Sequence, residues 1–350
     1  MSSRVHYAGV LAKIGAERSK LLSEVKFRTL TDSKDLLAFT AQLRETSYQT
    51  QIAKLTSPLN SRKLERALNE NLIESYEKIV DNSPKYTKKY LDLNLSRFEV
   101  ENIKTLIKAT NAKLSPDQKL DKMYLSTERY LKKDSVIEEA SKAQNVKQVV
   151  NDLKSTEYSS SLKAGLQNYE ETGSIACIDV LVDKAYYEKL YAAYMMLPKK
   201  DKSHALFYAS TEIDSFTVLT LLRGKNLNYD ANWLRTALPK NNFNLSKKTV
   251  EAVLSAANFE SALKIVSGSQ YASFFVEDED PEKTLANGEK AFEKAVFQHA
   301  KAYRVRDTFS IGAPLAFMTL KKAEVHNLVA TCSGVEAAVN PDTIQSQLLL

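Results

Sequence analysis

At 350 residues the chain is longer than one ordinary domain of roughly 100–200 residues. Its nine glycines and eight prolines make up about 5% of the chain against a usual ~12%, which excludes a turn-rich all-β fold and favours long helices; 43% hydrophobic and 26% charged residues suffice to close real cores and exclude a largely disordered chain. The formal net charge of +6, from 49 basic and 43 acidic residues, is thinly spread; it lacks the dense footprint of a nucleic-acid-binding module and suits an acidic protein or an anionic membrane surface equally well.

The chain opens on a polar stretch from Met1 to His6, without the apolar core of a signal peptide. Residues 1–34 are expected to form an N-terminal helix. From there the sequence repeats itself three times with a period near 110. The copies of a first element run from Asp35 to Tyr48, Asn145 to Tyr158 and Asn258 to Tyr271. In each, an Asx residue opens the segment, an aliphatic residue (Leu43, Leu153, Val266) stands eight positions on, and the tyrosine closes it. Asp35, Asn145 and Asn258 are predicted N-caps of short amphipathic helices, and Gln148 is expected to complete a capping box with Asn145. The three tyrosines are expected to be half-buried rings with the hydroxyl at the bundle edge.

A second element recurs as Glu99–Ala109, Asp214–Gly224 and Glu324–Gly334. Each copy has a carboxylate, a polar residue at plus three (Asn102, Thr217, Asn327), an aliphatic residue at plus four and a small residue at plus ten. This reads as a helix with defined ends. Ser96 and Thr211, three residues before the acid, are predicted caps. Gly224 and Gly334 are expected at the left-handed closing position, with Lys108 and Arg223 favouring the negative end of the helix dipole. The third copy departs, with Lys321 at the cap position and Ser333 in place of the basic residue.

The chain therefore parses as an N-terminal helix (1–34) and three helical repeats, 35–135, 136–249 and 250–350, the last with a C-terminal tail. A connecting helix is expected over Lys119–Leu131. Loops are expected at Asn111–Pro116, Leu197–Asp201, Leu238–Asn242 and Glu277–Pro281, where polar and breaker residues gather. The longest clean apolar run, Leu190–Leu197, falls far short of the ~20 residues a membrane span needs.

The residue patterns of known chemistry do not appear. His6, His204, His299 and His326 lie far apart and make no metal-ligand spacing. The sequence has no phosphate-cradling Gly-rich loop and no Gly-x-Ser-x-Gly elbow. Cys177 and Cys332 are solitary in apolar stretches, which suits buried thiols in a reducing setting better than a disulfide framework or a nucleophile. Glu99, Asp214 and Glu324 are better explained by a shared place at a helix start than by general acid–base work, and Glu277–Asp280 reads as a solvated acidic loop. No catalytic, cofactor-binding or metal-binding residue is assigned.

These residues together resemble the central-stalk C-subunit family of A/V-type ATP synthases, whose eukaryotic V-ATPase relative is the d-subunit. The opening from Tyr7 through Ala12, Lys13, Lys20, Leu21 and Leu22 is similar to the family's start. Leu43-Arg44-Glu45-Thr46-Ser47-Tyr48 resembles its Leu-x-Glu-Thr-Pro-Tyr, with Ser47 in place of proline, and the Glu99 and Asp214 stretches resemble its recurring helix. The resemblance runs from Tyr7 to Gly334. It implies an all-α protein of three tandem, pseudo-threefold bundles forming a funnel. Such a protein would sit peripherally on the cytoplasmic face of the membrane, on the proteolipid ring. It would receive the central shaft, made of the D and F proteins of the stalk, and transmit torque without catalysis, cofactor or nucleic acid. A non-catalytic helical scaffold binding other cytosolic proteins is the alternative; such solenoids normally repeat every 20–50 residues, which disfavours it here.

Overall fold

The computed structural model describes residues 3–303 and 309–350, with side chains from Tyr7 onward, so the His6 side chain lies outside the described residues. Among these residues the chain is all-α, without a strand. In order the helices are α1 Ser3–Arg18, α2 Glu24–Thr31, α3 Leu36–Leu43, α4 Gln49–Ile52, α5 Ser61–Asp81, α6 Lys85–Asn111, α7 Pro116–Leu120, α8 Leu125–Leu131, α9 Asp134–Ser141 and α10 Val146–Asp152. They continue as α11 Ser159–Thr172, α12 Ala176–Met195, α13 Lys199–Asn226, α14 Ala231–Ala237, α15 Lys247–Leu254, α16 Phe259–Val266, α17 Pro281–Ala302, α18 Gly312–Glu336 and α19 Pro341–Ser346. The N-terminal segment is two helices, α1 and α2, where one was expected. The connecting helix expected over Lys119–Leu131 is likewise broken into α7 and α8.

The predicted caps of the first element form. Asp35, Asn145 and Asn258 accept from the amides of Ala38 (2.7 Å), Gln148 (2.9 Å) and Ser261 (3.0 Å). The Gln148 side chain accepts from the Gln144 amide, one residue before the cap, so the reciprocal box expected there is displaced; such boxes close instead at Asn258/Ser261 and Ser115/Gln118.

The ends of the second element differ from expectation. Ser96 and Thr211 lie inside α6 and α13, helices of 27 and 28 residues that began more than a turn earlier, and they cap nothing. Gly224 and Gly334 also lie inside their helices. The left-handed residues come four positions later: Lys113 (φ 58°), Asn228 (φ 55°) and Ala338 (φ 53°). At each end the amide beyond the left-handed residue donates back to the small residue's carbonyl: Leu114 to Ala109 (3.0 Å), Tyr229 to Gly224 (2.8 Å) and Val339 to Gly334 (2.9 Å). This is the 6→1 Schellman closure, made three times without glycine at its usual place.

The two glycines answer a packing demand. A Cβ on Gly224 would stand 2.1 Å from Leu234 Cδ2, and one on Gly334 would stand 2.7 Å from Ile344 Cδ1. Leu234 and Ile344 are buried residues of α14 and α19, the short helices that follow each turn.

The chain divides into two compact units. One comprises Met1–Leu95, Tyr124–Tyr130 and Phe297–Leu350; the other comprises Ser96–Met123 and Leu131–Val296. In the first, α18 packs against α5, α1, α2, α3 and α19, and is buried nearly all round, as a helix surrounded by others must be. Phe27, Phe39, Leu68, Ile73 and Phe317 fill this core. In the second, α12 packs on α11 and α13, α13 packs on α14 and α16, and Val218, Leu222, Leu234, Phe259, Leu263 and Phe292 belong to one cluster.

Helix α5 turns Leu64, Leu68 and Leu72 inward and carries Glu70, Glu74, Glu77 and Asp81 at helical spacing on its more open side. Burial, reinforced by these like charges, pushes the Glu77 carboxyl from 4.5 up to about 7. The ionised form is thus disfavoured in the fold, and stability is lost as pH rises from 4.5 through 7. Glu77→Gln should raise the Tm at pH 8 and change it little at pH 5; equal shifts at both pH values would discard this account. Gly224→Ala gains up to about 1 kcal/mol of helix propensity. It should nonetheless destabilise the protein by about 1–3 kcal/mol through overpacking against Leu234. In urea titrations Leu234→Ala should absorb much of that penalty, and strict additivity would contradict the clash.

Candidate functional site

Residues singled out in the two repeated elements meet directly in buried junctions at Glu324 and Asp214, and at Glu99 they are linked through a chain of charges. Glu324 sits in the middle of α18 at 5% exposure. Its Oε1 accepts from the Tyr48 hydroxyl at 2.6 Å and from Lys321 Nζ at 2.8 Å, and its Oε2 accepts from the Leu22 amide. Lys321 also donates to the Tyr48 oxygen at 2.8 Å and lies 4.1 Å from the centre of that ring. The position read as a third-copy cap is therefore the counter-charge of the acid one turn on. Burial draws the Lys321 ammonium below its usual range, against the pull of Glu324. Burial likewise drives the Tyr48 phenol well above its usual range, with the Glu324 charge adding to it.

Asp214, fully buried within α13, accepts from the Tyr271 hydroxyl at 2.6 Å. In place of a lysine it gathers two backbone amides, Phe243 at 2.9 Å and Asn244 at 2.8 Å. Glu99, 1% exposed in α6, takes Lys133 Nζ at 2.6 Å. Lys133 reaches on to Glu157 (3.2 Å), Glu157 pairs with Lys189 (2.9 Å), and Lys189 lies 3.9 Å from the centre of the Tyr158 ring. Burial pushes the Glu99 carboxyl upward although Lys133 pulls it down.

One logic runs through all three. Leu22, Lys133 and the Phe243–Asn244 pair each stand just before a short helix, α2, α9 or α15, and each tyrosine follows the next helix. The mid-helix acid thus grips the chain entering a helix pair, and at Glu324 and Asp214 it also holds the tyrosine that ends the pair. The polar residue at plus three does similar work: Thr217 donates to Asn242 (2.7 Å), and Asn327 exchanges two bonds with the Leu349 backbone.

The reading of these acids as helix-start residues is overturned, as is that of the tyrosines as half-buried, since Tyr48 and Tyr158 are fully buried and Tyr271 is 4% exposed. Sequence reasoning singled out Glu324 and Tyr48, and Asp214 and Tyr271, without pairing them, and it did not single out Lys133, the partner of Glu99; Tyr158 and Tyr271 follow Glu99 and Asp214 by nearly equal intervals, 59 and 57 residues. It named Leu22 only as part of the opening stretch and missed Phe243 and Asn244 altogether, because a backbone amide carries no sequence signature.

At Glu99 one oxygen, Oε2, is buried without a hydrogen-bond partner, whereas at Glu324 both carboxylate oxygens are engaged and the side chain is buried. A cavity of about 240 Å³ adjoins this junction in the first unit. Its wall includes Glu17 and Glu74 as well as Lys20, Lys78 and Lys321, so the charges nearly cancel. Among the described residues no three His, Cys, Asp or Glu side chains converge as a metal site would require. Cys177 and Cys332 are both buried and free, as expected, and burial pushes the Cys332 thiol up to about 12.

Removing Glu324 strands a buried ammonium and a buried phenol. Glu324→Ala should therefore cost about 3–5 kcal/mol in urea unfolding. Adding Lys321→Met should recover part of that loss; a double variant as unstable as the sum of its parts would show that the two are uncoupled.

This arrangement belongs to a chain whose likeness to known proteins extends nearly end to end. The family model described as ATP synthase (C/AC39) subunit matches residues 10–347. The C-subunit of the A-type ATP synthase of Methanocaldococcus jannaschii is 28% identical over 347 residues, covering 98% of this chain and 86% of the relative. Its counterpart in Haloferax volcanii is 25% identical, covering 97% of each, and that in Thermococcus kodakarensis is 24% identical, covering 95% and 88%. With its acids, tyrosines and helix ends all inside the matched span, the chain belongs to the ATP synthase (C/AC39) subunit family.

Proposed function

We propose that this protein is the central-stalk rotor component of an A/V-type rotary ATP synthase or ATPase. In this reading it sits peripherally on the cytoplasmic face of the membrane, on the proteolipid ring, and receives the shaft formed by the D and F proteins of the stalk. It carries torque between ATP chemistry and ion translocation and performs no chemistry itself. Its passes 35–135, 136–249 and 250–350 serve as three related bundles around the socket.

The observation that carries the reading is the full-length match: residues 10–347 align with a rotary-complex family, and the chain covers 86% or more of the three archaeal relatives. The geometry supports it. A mechanical link needs long helices whose ends do not slip, and the buried carboxylates fix the chain entering each short helix pair. No helix among the described residues is long and apolar enough to cross a membrane, which suits a protein that rests on a ring rather than within it.

Affinity purification of the full chain from its own cells tests the proposal. Proteolipid-ring and shaft proteins should co-purify in fixed ratio, and the chain alone should not turn over ATP. Recovery with only an unrelated soluble protein, or robust ATP hydrolysis by the isolated chain, would sink it.

A further inference from the structure

One surface of the second unit combines exposed apolar and basic residues in a way that neither the junctions nor the family assignment explains. Where α12 turns into α13, Tyr194 and Leu197 are buried at 8% and 4% exposure, and the Tyr194 ring packs edge-on against Phe243 at 5.0 Å. The two residues between them point outward: Met195 is 50% and Met196 68% exposed. Pro198 then starts α13, whose first turn carries exposed Lys199 and Lys200 and half-buried Lys202, the last with its Nζ 5.9 Å from the centre of the Tyr194 ring. Asp201, the one acid between Met195 and Leu206 in the sequence, is 4% exposed, so the acid is tucked in while Lys199 and Lys200 stand out. Leu206, two turns along α13, is 44% exposed.

Single exposed apolar side chains are ordinary. Two adjacent methionines on an anchored turn, bordered by three lysines within four positions, are a patterned feature. The apolar area is far below the ~800 Å² per partner of a specific protein interface. A lipid surface needs no such area or shape match: it takes flexible apolar side chains at the headgroup boundary and cations against phosphate.

We infer that the α12–α13 turn is a membrane-surface contact for an anionic lipid bilayer, with Met195 and Met196 entering the headgroup–acyl boundary and Lys199, Lys200 and Lys202 meeting lipid phosphates. The inference rests on the proposed function only for bringing a membrane within reach, and its test needs the chain alone.

In co-sedimentation, the full-length protein should bind vesicles of equimolar phosphatidylglycerol and phosphatidylcholine, should ignore phosphatidylcholine alone, and should release as salt rises. Lys199→Glu/Lys200→Glu should weaken binding by about tenfold or more. Met195→Ser/Met196→Ser should weaken it several-fold at unchanged charge. Lys247→Glu/Lys248→Glu, the same charge change on exposed residues at the start of α15, should leave binding near that of the parent. Circular dichroism and urea midpoints confirm that each variant is folded. Failure to bind anionic vesicles, or equal losses in the two lysine pairs, would overturn the inference. Ring proteins that still co-purify would then show that the proposed function survives without a lipid contact at this turn.

Discussion

A carboxylate removed from water inside a helix bundle needs a cation or hydrogen-bond donors close by, and that demand organises this structure. Glu99, Asp214 and Glu324 sit in the middle of the longest helices, where desolvation would be costly without a cation or several hydrogen-bond donors. The chain answers with different donors at equivalent places: an ammonium from the same helix, an ammonium from the following segment, or two consecutive amides. The recurring requirement is the negative charge and its place; the donor is free to vary. An acid-to-lysine pair is therefore a poor guide to which residues correspond across the three passes, whereas the acid's own position is a good one.

The same economy governs the helix ends. Each long helix closes with a left-handed residue fourteen positions after its acid, Lys113, Asn228 or Ala338, and at Gly224 and Gly334 the next short helix folds back over the small residue at plus ten. Only asparagine among the three is well suited to that conformation. Lysine and alanine are held there because the two closing hydrogen bonds outweigh a local preference of roughly 1 kcal/mol. Glycine is instead spent where two helices touch.

What was legible in the sequence follows from the range of each interaction. Asp35, Asn145 and Asn258 were readable as caps because a cap and its amide lie three residues apart. The all-α class was readable from the scarcity of breakers. The pattern Ser96-x-x-Glu99 looks the same at a helix start as inside a helix, and only the helical run from Lys85 distinguishes them. Gly224 invited a turn reading because the residue that forbids a side chain there, Leu234, acts through space. Tyr48 was misjudged as half-buried because its partner is 276 positions away.

The bonds from Glu324 to Tyr48 and Leu22 have a consequence for how the protein is made. They join the first and last parts of one unit, and the residues of the other unit lie between them in the chain. During synthesis the middle of the polypeptide is complete long before α18 emerges. The opening stretch through Leu95 therefore leaves the ribosome before the helix that fills its core. The core of the opening segment, although translated first, can reach its final packing only after the last quarter of the chain has been made.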